Sequence, residues 1–158
     1  MQILPLTGSH NRQEFDSGRQ ELNDWLQRVA RQHQEKGLSK TFVAPHEEMP
    51  GRIYGYYAVM LAELENRHLP EARRKNNLPR RIPGVRLGRL TVHKQYQGKG
   101  LGELLLVDAL TRARRIYTEA GGIGLFVDAI YEQAAGYYLR FGFEAAPDNP
   151  LLLFLPAN

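Results

Sequence analysis

Glycines 98, 100 and 102 stand where a strand gives way to a helix. The segment reads Arg89-Leu90-Thr91-Val92-His93-Lys94-Gln95-Tyr96-Gln97-Gly98-Lys99-Gly100-Leu101-Gly102-Glu103. After it, Leu101, Leu104, Leu105, Ala109, Ala113 and Ile116 recur at helical spacing and form one apolar stripe. A helix N-terminus carries unpaired N–H groups and a partial positive charge. Glycines there let the backbone approach an anion without a side chain in the way. The chemistry that follows is phosphate binding, pyrophosphate above all. Two common phosphate patterns are excluded. The dinucleotide fingerprint needs a glycine where Glu103 stands, and the P-loop needs Ser or Thr where Gly100 stands. A tight strand-to-helix turn that binds nothing fits the same residues.

Other chemistries find little support. His10, His33, His46, His68 and His93 are scattered, and none forms a His-Glu-x-x-His pair. The chain has no cysteine, which excludes disulfides, thiolate ligands and cysteine nucleophiles. No metal site is expected. No Gly-x-Ser-x-Gly elbow occurs, which argues against a serine hydrolase.

The segment Gln97-x-x-Gly100-x-Gly102, after Arg89 to Val92 and before Leu104-Leu105, resembles the coenzyme A-binding motif of the Gcn5-related N-acetyltransferase (GNAT) superfamily. Downstream, Val127-Asp128-Ala129 and then Ala134-Ala135-Gly136-Tyr137-Tyr138-Leu139-Arg140-Phe141-Gly142-Phe143 are similar to that superfamily's second half. The resemblance covers about residues 84 to 144. It implies an α/β (α+β) fold: a mixed, mostly antiparallel sheet, splayed at two central parallel strands and flanked by helices. It also implies an acetyl-CoA-dependent N-acetyltransferase. By the resemblance, the cofactor-binding residues are Leu90, Thr91, Val92, Gln97, Gly98, Lys99, Gly100, Leu101, Gly102 and Glu103. Backbone N–H groups of Gln97 to Gly102 would hold the pyrophosphate. Leu90 and Val92 would pair with the pantetheine arm, and an N–H near Val92 would polarise the thioester carbonyl. Tyr138 would be the general acid toward the departing thiolate. Reference pKa values near 8.5 for a thiol and 10 for a phenol make that proton transfer mildly uphill. Tyr138 also suits core packing beside Ala134 and Ala135, while Tyr137 points elsewhere on the helix.

A narrower resemblance concerns the acceptor. Phe15-Asp16-Ser17-Gly18 followed by Leu22-Asn23-Asp24-Trp25-Leu26 is similar to the N-terminal segment of the acetyltransferase toxins of bacterial toxin–antitoxin modules. Those enzymes acetylate the α-amine of aminoacyl-tRNA and block translation. Ser17 departs from a cysteine often found there. The segment also fits a plain amphipathic helix. The implied partners are acetyl-CoA, aminoacyl-tRNA and a cognate antitoxin protein, with a homodimer as one possible assembly. Arg73, Arg74, Lys75, Arg80, Arg81 and Arg89 are the candidate tRNA-binding residues, set in a basic stretch opposed locally only by Glu71. The same stretch reads as a solvated loop. No carboxylate or histidine base is identified, and an α-amine, at about 7.7 to 8, needs one less than a lysine. The rival readings are an acetyltransferase of a small amine, peptide or protein terminus, and an acyl-CoA-binding regulatory domain without turnover.

The elements that must position these residues are legible in outline. The 158 residues and their +4 formal charge suit a single globular domain over 1–158. No apolar run approaches a membrane span, and Met1 to Thr7 lacks a signal-peptide pattern, so a cytoplasmic protein without membrane association is expected. Ile3 to Leu6 reads as a first strand. Asp16 or Ser17 is placed to cap a helix whose apolar face is Leu22, Trp25, Leu26, Val29 and Ala30, and Gly37 ends it. Thr41 to Ala44 and Ile53 to Leu61 read as an antiparallel hairpin. The basic stretch reads as loop, with a short helix near Glu71 to Lys75. In Val85 to Val92 the apolar parity flips at Gly88-Arg89, as a β-bulge or burial of both faces would produce. A helix from about Gly100 to Ala120, stopped by Gly121-Gly122, precedes a strand at Leu125 to Val127. A helix at Glu132 to Arg140 follows, with last strand material at Phe143 and Leu151 to Leu155.

Overall fold

The computed structural model describes residues 1–75 and 77–157. Seven strands are hydrogen-bonded in the order β1-β2-β3-β4-β5-β7-β6. They are β1 (Leu4–Pro5), β2 (Lys40–Pro45), β3 (Ile53–Glu65), β4 (Arg81–Val92), β5 (Gly124–Asp128), β6 (Glu144–Ala146) and β7 (Asn149–Pro156). The β4–β5 pair is parallel, while β1–β2, β2–β3, β5–β7 and β6–β7 are antiparallel. The expected mixed sheet is therefore present. The β4–β5 ladder runs from Val85↔Leu125 to Leu87↔Val127, and β4 continues beyond it to Val92. The described residues fall into two compact units, 1–60 with 88–109 and 61–87 with 110–157.

In the first unit, α1 (Gln20–Asp24), a π-turn (Trp25–Val29) and α2 (Ala30–Glu35) follow one another without a break. Leu22, Trp25, Leu26 and Ala30 are buried, as their spacing requires. They pack with Leu6, Phe15, Val43, Ile53 and Tyr56 into one cluster. Gly37, at φ 74°, closes the helix, with the Leu38 amide on the His33 carbonyl at 2.8 Å and the Gly37 amide on Gln34 at 3.1 Å. The helix start differs from expectation. Its N-cap is Arg19, which makes no side-chain cap. Asp16 and Ser17 instead bind Asn23, because the chain turns at Gly18 before the helix begins.

In the second unit, Leu64, Leu69, Ile82, Phe126, Ala146, Leu152 and Phe154 form the core cluster. β5 is buried along Gly124 to Val127. A Cβ added at Gly124 would lie 2.3 Å from the Leu155 carbonyl oxygen, so only glycine allows β7 this close. The short strand β6, which the sequence does not announce, pairs with β7 after Phe143. The basic stretch holds two 3₁₀ turns, Asn66–His68 and Glu71–Arg73, in place of the single helix expected.

The long helix α3 (Leu101–Ala120) and α4 (Glu132–Leu139) match the sequence reading. Leu105, Ala109 and Ala113 are buried as expected. Leu104 is 50% exposed and Leu106 is fully buried, so the stripe lies one helical step from where the leucine run places it. Burial in β4 follows the parity flip: Val85 and Leu87 are buried, then Val92, with Leu90 half-buried. Among the described residues no helix is long and apolar enough to cross a membrane.

Candidate active site

The glycine turn has a backbone geometry that suits an anion. Gly98 and Gly100 have φ of 78° and 83°, which side-chain-bearing residues rarely adopt. A Cβ at either position would meet no heavy atom within 4 Å. The space above the loop is open, and any side chain added there would fill it. The Leu104 amide bonds to the Gly100 carbonyl at 3.2 Å, so the helical amides before it have no partner four residues back. Twenty residues of helix stand behind them. Such a loop can hold a pyrophosphate through backbone N–H groups and the helix dipole. Lys99 and Glu103 are exposed at its rim.

The segment around Asp16 clamps this loop. The Lys94 amide donates to the Asp16 carbonyl at 2.8 Å, and the Lys94 ammonium pairs with the Asp16 carboxylate at 2.9 Å. The Gln97 side-chain amide donates to the Ser17 carbonyl at 3.1 Å and the Val92 carbonyl at 3.0 Å. Lys94, the Gly18 amide and the Asn23 amide together hold the Asp16 carboxyl well below the usual carboxylate range. Asn23, buried, accepts from the Ser17 amide and hydroxyl, both at 2.8 Å. Sequence reasoning missed this role for Gln97 and Asn23. Their partners are backbone atoms and side chains that no local pattern predicts.

The β4 residues Leu90 and Thr91 are half-buried and Val92 is buried. The amide after Val92, that of His93, already donates to the Tyr54 carbonyl at 2.7 Å. It is thus committed to β3 and is not free to polarise a carbonyl. The His93 ring accepts from the Gln95 amide at 3.1 Å and so caps the 3₁₀ turn Lys94–Tyr96 before the loop.

Tyr138 lies in the second unit, in the last turn of α4. It is 6% exposed, with its ring edge-on to Tyr137 and Phe143, each centroid 5.4 Å away. Its hydroxyl has no protein hydrogen-bond partner among the described residues. Burial, with Tyr137 and Tyr131 nearby, pushes its pKa well above the ordinary phenol value. The proton is therefore held firmly at neutral pH, and the match to a thiolate is less close than reference values imply. Tyr137 packs on Phe141 at 5.0 Å and under Arg140 at 5.7 Å.

The basic stretch is less bare than it reads. Carboxylates distant in sequence come against it. Arg73 makes two bonds to Glu144, at 3.1 and 2.8 Å. Arg80 pairs with Glu65 at 3.4 Å, and Arg81 with Glu63 at 4.0 Å. Arg74 donates to the carbonyls of Leu69 and Arg67. Lys75 lines, with Leu78, Ile123 and Phe154, an open groove of about 370 Å³. Arg89 lies in the first unit, 4.5 Å over the Trp25 ring. Among the described residues no cluster of His, Asp or Glu could hold a metal ion.

The first unit holds a glycine turn at a helix start, and the second holds a buried phenol that keeps its proton. Comparison with known proteins identifies the family. Residues 37–145 match the model of the acetyltransferase (GNAT) domain. A "tRNA-acetylating toxin" of Mycobacterium tuberculosis is 34% identical over 141 residues, 89% of this chain and 82% of that protein. The solved structure of AtaT complexed with acetyl-methionyl-tRNA is 30% identical, with a TM-score of 0.88, and the match covers 98% of this chain and 94% of the other. That of AtaTR bound with AcCoA is also 30% identical, with a TM-score of 0.83 over 99% and 93% of the two chains.

Proposed function

The chain belongs to the GNAT acetyltransferase family, and we propose that it transfers the acetyl group of acetyl-CoA to the α-amine of aminoacyl-tRNA. The match over 37–145 spans residues of both units, which supports one acetyltransferase domain across the chain. The observation that carries the donor half is the open cradle at Gly98 and Gly100. The acceptor half rests on likeness to a relative that acetylates tRNA and to a structure holding acetyl-methionyl-tRNA.

In this reading the amides from Gln97 to Gly102 hold the pyrophosphate, with Lys99, Leu101 and Glu103 in the same turn. The backbone of Leu90, Thr91 and Val92 takes the pantetheine arm. Acetyl-CoA, when bound, supplies an activated thioester. Tyr138 keeps a proton on its Oη for the leaving sulfur. The amine attacks as the neutral base, its proton passes to water, and water returns a proton to the Tyr138 Oη after the thiol leaves. The expected consequence is arrest of translation, with an antitoxin protein as the natural counterpart of the toxin. Purified protein added to a cell-free translation system tests this. Arrest that needs acetyl-CoA supports the reading, and undisturbed translation with acetyl-CoA present opposes it.

A further inference from the structure

Arg89 occupies an unusual setting. Its guanidinium lies 4.5 Å over the Trp25 ring, and Trp25 stacks in turn on Tyr56, centroids 6.1 Å apart and 11° from parallel. The Tyr56 hydroxyl donates to the Leu22 carbonyl at 2.8 Å, which fixes that ring. Trp25 is 6% exposed, so the platform is rigid. The cation is half-buried, yet among the described residues it has no carboxylate partner and no hydrogen-bond acceptor. Three other arginines of the same unit are committed: Arg12 to the Gln27 carbonyl, Arg31 to Glu35, Arg52 to Glu14, whereas Arg28 is simply exposed. Burial holds the Arg89 guanidinium below its usual pKa, as an uncompensated cation requires.

The face it occupies excludes the cofactor's pyrophosphate as its partner. On β3, the Cβ direction of Gly55 meets Leu105 at 2.9 Å, and the Tyr57 hydroxyl donates to Asp108. The first half of α3 therefore covers that face. Tyr56, between them, points to the opposite face, and Arg89 shares it through Trp25. The glycine cradle opens α3, across the sheet from this cation. A guanidinium held over an aromatic ring, with no acceptor among the described residues, keeps N–H groups for a two-oxygen acceptor. Arg89 also directly precedes Leu90, Thr91 and Val92 on β4, next to the backbone proposed to take the pantetheine arm.

We propose that Arg89, seated on Trp25, binds a phosphodiester of the acceptor next to its aminoacylated 3′ end and so positions the amine. This rests on the aminoacyl-tRNA reading given above.

The test measures acetylation of aminoacyl-tRNA over a range of salt concentrations with wild type, Arg89→Gln, Arg89→Met and Arg89→Lys. Loss of a charged contact should raise KM about tenfold to a hundredfold in the two neutral variants. The slope of log affinity against log salt should shrink by about 0.7, the value for one phosphate of a single strand. Arg89→Lys should keep the slope and still raise KM, because it keeps the charge and loses the fork. Acetyl-CoA affinity by calorimetry reports an intact fold. An active wild type whose neutral variants, either of them folded, keep the parent's KM and salt slope overturns the role of Arg89 and leaves the acceptor reading standing. A rise in KM at unchanged slope also overturns it, since a structural role would do that. A wild type that never acetylates aminoacyl-tRNA overturns both.

Discussion

The side-chain amide of Gln97 lies 3.0 Å from the carbonyl oxygen of Val92, tying the start of the glycine loop to the last residue of β4. The same nitrogen donates to the Ser17 carbonyl at 3.1 Å. Gln97 therefore acts through its side chain as a brace for the loop.

Replacing Gln97 by Leu keeps the bulk and removes both bonds. Acetyl-CoA affinity should fall by about tenfold, and stability by about 1–3 kcal/mol, because two carbonyls lose their donor. Calorimetry and thermal melting read the two effects. An unchanged affinity would mean that the loop holds its shape without the brace.

Gly100 makes a sharper case. At φ 83° a side chain is strained, and its Cβ would enter the open space that we propose for the phosphate. Gly100→Val should cost about 1–2 kcal/mol of stability while abolishing measurable acetyl-CoA binding. A folded variant that binds acetyl-CoA normally would dismiss this loop as the pyrophosphate site.

Tyr138→Phe should lower turnover by about 10²- to 10⁴-fold, the range for a general acid. Tyr137→Phe should stay close to the parent. The pH profile adds a second check. Burial raises the Tyr138 pKa, so the phenol stays protonated on the alkaline side. Activity should rise through the α-amine range, about 7.7 to 8, and show no fall from phenol ionisation up to about pH 10. A descending limb between about pH 8 and 10 that disappears in Tyr138→Phe would contradict that protonation state.

Acid should loosen the basic stretch. Arg67 lowers the Glu65 pKa, Arg73 that of Glu144, and His68 that of Asp148. A carboxylate with a depressed folded-state pKa contributes stability above its unfolded value, about 4, and loses it as pH falls through the folded value. These three carboxylates should therefore lower the melting temperature below about pH 4, apart from the loss that His10, held below its ordinary pKa by burial, brings as pH falls below about 6.5. Glu144→Gln should make that decline shallower. Glu65 and Glu144 are half-buried and Asp148 is exposed, so solvent reaches all three pairs and the effect should be modest and weaker at high salt. An equal decline in Glu144→Gln would show that the Arg73 pair adds nothing.

Much of this was legible in the chain itself. Gly98, Gly100 and the stripe of α3 are local signals, the order of strands and helices argues for a layered α/β core, and the parallel pairing of β4 with β5 is what the family resemblance implies. What escaped depends on distant partners. Asp16 and Ser17 look like helix caps, yet Gly18 turns the chain so that they meet Asn23 and Lys94 instead. Arg73 to Arg81 look unopposed because Glu63, Glu65 and Glu144 reach them through the fold. Arg89 reads as one more cation of that stretch, whereas the structure sets it apart on Trp25. Leu104 and Leu106 exchange roles because a leucine run fixes the helix but not its rotation.

The most direct test of the central claim is mass spectrometry of the amino acids carried by tRNA after incubation with the protein and acetyl-CoA. The account predicts N-acetylated aminoacyl groups that appear only with acetyl-CoA and drop sharply with Tyr138→Phe. Aminoacyl-tRNA left unmodified by an enzyme that acetylates a small amine or a protein terminus under the same conditions would contradict it.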